Sequence, residues 1–221
     1  MINFHPDVKQ ITAFSGGNCS ANVALIIAAH IDMCPRCQRL CLQAEEDLAA
    51  EVLLQPSAVA ENLSAMMLNI TQSPLAEPIL AKAPSMLLEL DGRFFQLPRA
   101  LHRCSKKTGN WSRLAGKLWH APVDIGGMGQ AGFIYMEKGG RVPEHTHRGN
   151  EFTLVIDGTF SDGLADYEGG DFTRMDSRNK HVPYSDADDG CLVFTILDKP
   201  LHFTSGIARL LNPFSHLFFK S

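Results

Sequence analysis

Two groups of residues in this 221-residue chain have the types and spacing to hold a metal ion. The first is His30-Ile31-Asp32-Met33-Cys34-Pro35-Arg36-Cys37, a His-x3-Cys-x2-Cys run. Zn2+ takes four ligands in a tetrahedron, drawn from thiolate and imidazole, and this run supplies three. His5 and Cys19 precede it and Cys41 follows it. His5 is chosen as the fourth ligand, since no apolar periodicity around it explains it. Cys41 lies one helical turn beyond Cys37 and could equally replace His5 or face a core with Leu40 and Leu42. Free cysteine is among the most buried residue types, so three small core side chains are the bland alternative; a His and two Cys at these spacings read better as ligands. The second group is Gly139-x5-His145-x-His147-x3-Glu151-x6-Gly158, followed later by His181. His145 and His147 are two apart and point to one side of an extended segment. Glu151 opens the next strand and can return its carboxylate to the same point. Three imidazoles and a carboxylate suit Zn2+, Fe2+, Mn2+ or Ni2+ without strong selection among them. Buried without a partner, such a cluster would be costly.

Positioning the first group requires helices. Val23, Ile26, Ile27 and His30 recur at helical spacing, and Cys34 follows His30 by four. The chain is expected to be helical from Ser20 to about Gln55, broken at Met33-Cys34-Pro35, with Pro35 in the first turn of the next helix. Pro6 after His5 likewise looks like the first residue of a helix. Leu40, Ala44, Leu48 and Val52 form the expected inward stripe after the break. Ser57 is a plausible N-cap for a further helix, in which Val59, Leu63, Met66, Met67 and Ile70 share one apolar face. That face either packs on its own bundle or is offered to a partner, for which methionine suits an adaptable groove.

Pro74, Pro78 and Pro84 interrupt any helix between Thr71 and Ser85, marking a linker. Beyond it, 132–136, 152–156, 171–175 and 191–197 read as strands. Gly139-Gly140, Asp157-Gly158, Gly169-Gly170 and Asp189-Gly190 punctuate them. The expected division is a helical domain over 1–72, a linker over 73–90, an antiparallel sandwich or barrel over 91–204, and a tail over 205–221 in which Ile207, Leu210 and Leu211 hint at a helical piece.

The chain has no apolar run of membrane-spanning length and no basic-then-apolar leader, so a membrane protein is not expected. Six cysteines, three of them at metal spacing, fit a reducing cytoplasm better than a disulfide framework. The net charge of −4 resides in the first 75 residues, where Lys9, Arg36 and Arg39 face Asp7, Asp32, Glu45, Glu46, Asp47, Glu51 and Glu61. An acidic helical half is repelled by phosphate backbones, which disfavours direct nucleic-acid binding.

Gly139 to Gly158 closely resembles the first motif of cupins. The second cupin motif is matched in spacing by Gly170, Asp176, Arg178, His181 and Ser185, although only its first Gly and its His keep their identity. The resemblance implies a small antiparallel β-barrel, a double-stranded β-helix, with His145, His147, Glu151 and His181 as ligands. A helical His-x3-Cys-x2-Cys module joined to a cupin resembles the zinc-containing anti-sigma factors of the ChrR type over nearly the whole chain. That likeness implies an α + β protein of two domains. Its N-terminal part would be a four-helix zinc-binding anti-sigma domain with His5, His30, Cys34 and Cys37 as ligands, and its C-terminal part a cupin. It implies two zinc ions, although the second site could hold another divalent metal. The implied partner is an extracytoplasmic-function sigma factor, held away from core RNA polymerase until singlet oxygen or a related oxidant acts through the cupin. The helix with Val59, Leu63, Met66 and Met67 would be the sigma-binding segment. The rival expectation is a mononuclear cupin dioxygenase or isomerase with a helical appendage, its substrate-positioning candidates being Tyr135, Arg141 and Tyr184.

Overall fold

The computed structural model describes residues 1–54, 63–74, 86–126 and 129–204. Helix α1, Val8–Ser15, starts behind a capping box in which the Asp7 side chain accepts from the Gln10 amide and the Gln10 side chain accepts from the Asp7 amide. Pro6 therefore stands before the cap and not in the first turn, because Asp7 offers the amides a better acceptor. Helix α2, Ala21–Met33, and helix α3, Pro35–Leu53, meet at Cys34, which ends one and caps the other. Its extended backbone, φ −112° and ψ 103°, makes the corner, and Pro35 occupies the first turn of α3 as expected.

On α3 the inward residues are Cys37 and Cys41, with Ala44 and Leu48 half-buried. Leu40 and Val52, expected inside, are 38% and 66% exposed. Cys37 must turn towards the metal cluster, and a helix aimed by Cys37 carries Cys41, Ala44 and Leu48 inward with it. Helix α4, Leu63–Gln72, buries none of its residues. Ser57, Val59, Pro78, Pro84, Ile207, Leu210 and Leu211 lie outside the described residues.

The β region begins inside the stretch expected to be linker, with β1, Leu87–Leu90, paired to β2, Arg93–Gln96. A 3-10 turn at Arg99–Leu101 and a short α5, His102–Ser105, lead into β3, Ser112–Ala115, and β4, Leu118–Val123. Then come β5, Gln130–Met136; β6, Gly140–Arg141; β7, His145–His147; and β8, Glu151–Ser161. The series ends with β9, Asp166–Glu168; β10, Phe172–Met175; β11, Lys180–His181; β12, Tyr184–Ser185; β13, Cys191–Leu197; and β14, Leu201–Phe203.

The larger sheet runs β3-β4-β5-β13-β8-β12-β6, with β9 and β10 also on β8; a three-stranded sheet runs β11-β7-β14. Every pairing is antiparallel. The two sheets curl into a half-barrel of cupin type. Gly158 makes one close crossing possible: at φ +78°, a Cβ there would lie 2.1 Å from the Gly190 carbonyl oxygen.

Phe133, Leu154, Leu192, Phe194 and Ile196 are fully buried between the layers. Ile26, Ile27 and Ala29 of α2 belong to the same apolar cluster. Each isoleucine contributes about 2 kcal/mol of burial, so α2 is seated on the β half. The Asp32 carboxylate fixes its end by accepting from the Ala100 amide at 2.8 Å and from Arg99. The proline-rich boundary visible in the sequence therefore does not separate the two cores.

Candidate metal centres

Three chain segments build the helical centre. His5 lies on the extended segment before α1, His30 on the last turns of α2, Cys34 at the corner and Cys37 in the first turn of α3. Their donor atoms all lie within 4.8 Å of one another. His30 Nε2 is 3.2 Å from Cys37 Sγ and 3.4 Å from His5 Nδ1, which is 3.5 Å from both Cys34 Sγ and Cys37 Sγ. In a regular zinc tetrahedron, bonds of about 2.0 Å to nitrogen and 2.3 Å to sulfur separate donors by about 3.3 to 3.8 Å. The side chains present therefore fit the ion. His30 Nδ1 donates to the Gly170 carbonyl at 2.8 Å, which leaves Nε2 as the lone pair facing the cluster. Cys41 is buried close by but is not part of the cluster; its Sγ meets Ser15 Oγ and Glu45.

Burial pulls His30 down to about 4. Burial, reinforced by the neighbouring Cys34, pushes the Cys37 thiol up to about 12. Both shifts describe a dry site that disfavours isolated charge and that a cation would relieve.

The second centre lies inside the half-barrel. β7 presents His145 and His147, β8 opens with Glu151, and β11 ends on His181, paired directly opposite His145. All four are buried, and their donor atoms lie within 4.8 Å of one another. His181 Nε2 is 2.9 Å from His145 Nε2 and 3.1 Å from His147 Nε2; Glu151 Oε2 is 3.3 Å from His147 Nε2 and 3.6 Å from His181 Nε2. His145 Nδ1 donates to the Pro143 carbonyl at 2.8 Å, so its Nε2 is a lone pair facing the other rings. His147 Nδ1 has no hydrogen-bond partner, leaving the cluster-facing nitrogen as the engaged end of that ring. Three converging Nε2 atoms and a carboxylate, all buried, are a donor set that fits a cation. His145, His147, Glu151 and His181 would hold the ion, and a divalent metal taking more than four ligands would accept a further one there.

Electrostatics agree with this geometry. Burial opposes charge on Glu151, but the His181 hydrogen bond and the three rings outweigh it and hold the carboxyl at about 2. Burial alone would lower His181, yet Asp162 and Glu151 hold it up at about 9. Asp162, itself buried, lies 3.6 Å from His181 Nδ1 through Oδ2 and is anchored by the Leu164 and Ala165 amides and the Tyr167 hydroxyl. Carboxylates in this position orient metal-bound imidazoles. The sequence reading overlooked Asp162, because Asp162-Gly163 looks like an ordinary turn; its only cue is that it is an acidic residue at the end of a long strand.

The open side of this centre faces a cavity of about 100 Å3, walled by aliphatic and aromatic side chains such as Leu118, Ile134, Val193 and Phe203. Tyr135, Arg141 and Tyr184 do not line it. Tyr135 donates to the Asp189 carbonyl, and Arg141 stacks over the Tyr184 ring at 4.9 Å. All three make structural contacts away from the cavity, whose polar lining beyond the cluster and Asp162 is Thr153, Thr173 and Thr195.

Comparison with known proteins fits this picture. Residues 103–199 match the family described as the ChrR Cupin-like domain. Over 219 residues the chain is 26% identical to the anti-sigma-E factor ChrR of Cereibacter sphaeroides, covering 96% of this chain and 98% of that protein. The chain is thus similar to ChrR over nearly the whole length of both proteins. The crystal structure of Rhodobacter sphaeroides SigE in complex with the anti-sigma ChrR superposes with a TM-score of 0.69 at 24% identity, over 90% of this chain and 100% of that one. The helical half and the cupin half-barrel share their fold with that chain. Among the described residues, no helix is long and apolar enough to cross a membrane.

Proposed function

We propose that this chain is a cytoplasmic anti-sigma factor that sequesters an extracytoplasmic-function sigma factor by occlusion, with no covalent step. The helical region, residues 1–72, is its inhibitory part. His5, His30, Cys34 and Cys37 hold a structural zinc there, and His145, His147, Glu151 and His181 hold a second divalent metal in the cupin of residues 91–204. When bound, the first ion supplies only a fixed geometry. His5 and Cys37 then tie the entry to α1 and the start of α3 to the end of α2. The observation that carries this reading is α4. Leu63, Met66, Met67, Leu68 and Ile70 are 41% to 65% exposed on a helix that buries nothing, in a chain similar to ChrR over almost its full length. Such a face needs a partner. ChrR is found with SigE, and a sigma factor is the partner assigned here. Val59, expected on the same face, lies outside the described residues.

The cupin centre, with open positions beneath an apolar cavity, suits reception of a signal better than turnover. We assign it the response to singlet oxygen or a related oxidant. Co-purification of this chain with a sigma factor from its native cell tests the function. Recovery of a stoichiometric complex that chelator treatment disperses is the expected result; a complex that persists in metal-free protein would contradict the zinc-dependent mechanism, and no complex at all would contradict the function.

A further inference from the structure

The helical centre does not orient its own histidines. Among the described residues, the hydrogen bond from His30 Nδ1 runs to the Gly170 carbonyl, a residue of the cupin half. The segment carrying His5 is held by the next residue: the Asn3 and Phe4 amides donate to Asp171 Oδ1 at 2.7 and 3.0 Å. Asp171 is wholly buried, and its Oδ2 accepts from the Glu168 amide at 2.9 Å, so its carboxylate is fully engaged. The Phe172 amide donates to the Phe4 carbonyl at 3.0 Å, adding the His5 segment alongside the start of β10. Gly170 is at φ +94°, and a Cβ there would fall 2.4 Å from Ile2 Cδ1. The left-handed backbone favours glycine there, and any other residue would also have to push the Ile2 side chain aside.

The turn itself is rigid. Gly170 donates to the Val155 carbonyl and the Val155 amide donates to the Asp171 carbonyl, at 2.9 and 3.0 Å. Val155 belongs to the strand that opens with the cupin ligand Glu151, four residues or about 13 Å away along an extended chain. We propose that the turn between β9 and β10 is the orienting shell of the helical metal centre, Gly170 setting the His30 tautomer and Asp171 placing His5. This rests on reading the His/Cys cluster as a metal site. It makes the cupin a positioning element for zinc in the other half, and it gives a change at Glu151 a short, hydrogen-bonded route to that zinc. Partners of metal-bound histidines typically change affinity by about 10- to 100-fold.

Cobalt(II) substitution in the full-length chain separates the centres, because only the helical one has thiolates to give a sulfur-to-metal charge-transfer band. Asp171→Ala should weaken the thiolate-band metal by about 10- to 100-fold in chelator competition, while the cupin metal is retained. Asp171→Asn, which keeps an acceptor for the Asn3 and Phe4 amides, should recover part of the loss. A change below about twofold in Asp171→Ala, or equal loss at both centres, would overturn the proposal. In the zinc-loaded unsubstituted protein, nitrogen NMR should show His30 protonated at Nδ1 with a slowly exchanging proton; a metal on Nδ1 would overturn it without any variant. Cys34→Ser serves as the separate control: if that change leaves the thiolate band and zinc content intact, the metal reading itself fails.

Discussion

Removing zinc from the helical centre should unravel α1 while leaving α2 in place. The cluster of buried residues beneath α1 consists only of Ile11, Cys34, Cys37 and Cys41. An eight-residue helix is well below the roughly 12 to 15 residues at which isolated helices become even marginal. α1 is therefore held by Ile11 and Phe14, by its capping box, by the bonds that tie Asn3 and Phe4 to Asp171 and Phe172, and, on the proposed reading, by an ion fastening His5 just ahead of it. A ligand present at about 1,000 times its dissociation constant stabilises the bound state by about 4 kcal/mol. Helix α2 is different, because Ile26, Ile27 and Ala29 are buried in the cluster shared with the strands. Native-state hydrogen exchange on the full chain, zinc-loaded and as Cys37→Ser, reads both at once. Amides of α1 should lose about 1,000-fold in protection, corresponding to about 4 kcal/mol, while those of α2 on Ile26 and Ile27 change less than tenfold. Uniform loss across α1 and α2 would mean that the metal supports the whole fold rather than the clamp. Unchanged protection in α1 would mean that the ion supports nothing.

Four further outcomes are expected. Met67→Glu, on a residue 57% exposed, should weaken sigma-factor binding at least tenfold in a titration while the melting temperature stays put; a lowered melting temperature would show that α4 packs on this chain instead. His145→Ala should empty the cupin centre by metal analysis and blunt oxidant-triggered release, leaving sigma affinity unaltered; normal release would take this centre out of signalling. Asp162→Asn should lower cupin metal affinity by about 10- to 100-fold without unfolding the barrel, as chelator competition would show, and equal affinity would reduce Asp162 to a turn residue. Because burial keeps metal-free Cys37 protonated up to about 12 and His30 neutral down to about 4, zinc should displace a proton from Cys37 and none from His30 near neutrality. Its affinity should then rise with pH between 6 and 8, and calorimetry in buffers of different ionisation heat should show proton release; a pH-independent affinity would contradict the thiol's state.

The donor residues were legible because metal ligation demands rare side chains at short spacing. His30, Cys34 and Cys37 fall within one helical corner, and His145, His147 and Glu151 within one strand turn, so local geometry alone brings each set together. His5 and His181 were reached by elimination and by motif spacing, and both lie in their clusters. The four central strand segments stood out through β-branched and aromatic runs, whereas β4, reading Leu-Trp-His-Ala-Pro-Val, was hidden by His120 and Pro122. Leu40 and Val52 were misplaced because helical periodicity records apolar residues, while the inward direction of α3 is dictated by Cys37. Gly170 and Asp171 were illegible for another reason. A glycine and an aspartate before a strand are ordinary turn chemistry, and nothing local says that their polar atoms serve residues about 140 and 168 positions away.

The two centres differ in a way that divides their work. Donor separations of 3.2 to 3.5 Å in the helical centre suit a closed tetrahedron whose four places are all taken by protein. Such an ion has no position for an incoming molecule and acts by holding geometry. At the cupin centre three imidazoles and one carboxylate would hold the ion, and a divalent metal taking more than four ligands would have places left on the side of the apolar cavity. On the proposed function, chemistry would begin at the second centre, while inhibition would depend on the first. The two clusters share no donor residue. A signal arriving at the second therefore has to cross to the helices through the backbone or through packed side chains such as Phe152 and Phe172, the latter's ring lying against His30. The strand that begins at Glu151 and grips Gly170 and Asp171 through Val155 is one hydrogen-bonded connection of this kind. A displacement at Glu151 would then loosen His30 and His5 before it reached α1, and sigma release would follow zinc loosening rather than precede it. Stopped-flow detection of the thiolate band and of sigma release in one oxidant-treated, cobalt-loaded complex orders the two events. Release that runs ahead of any change in the band would place the trigger elsewhere.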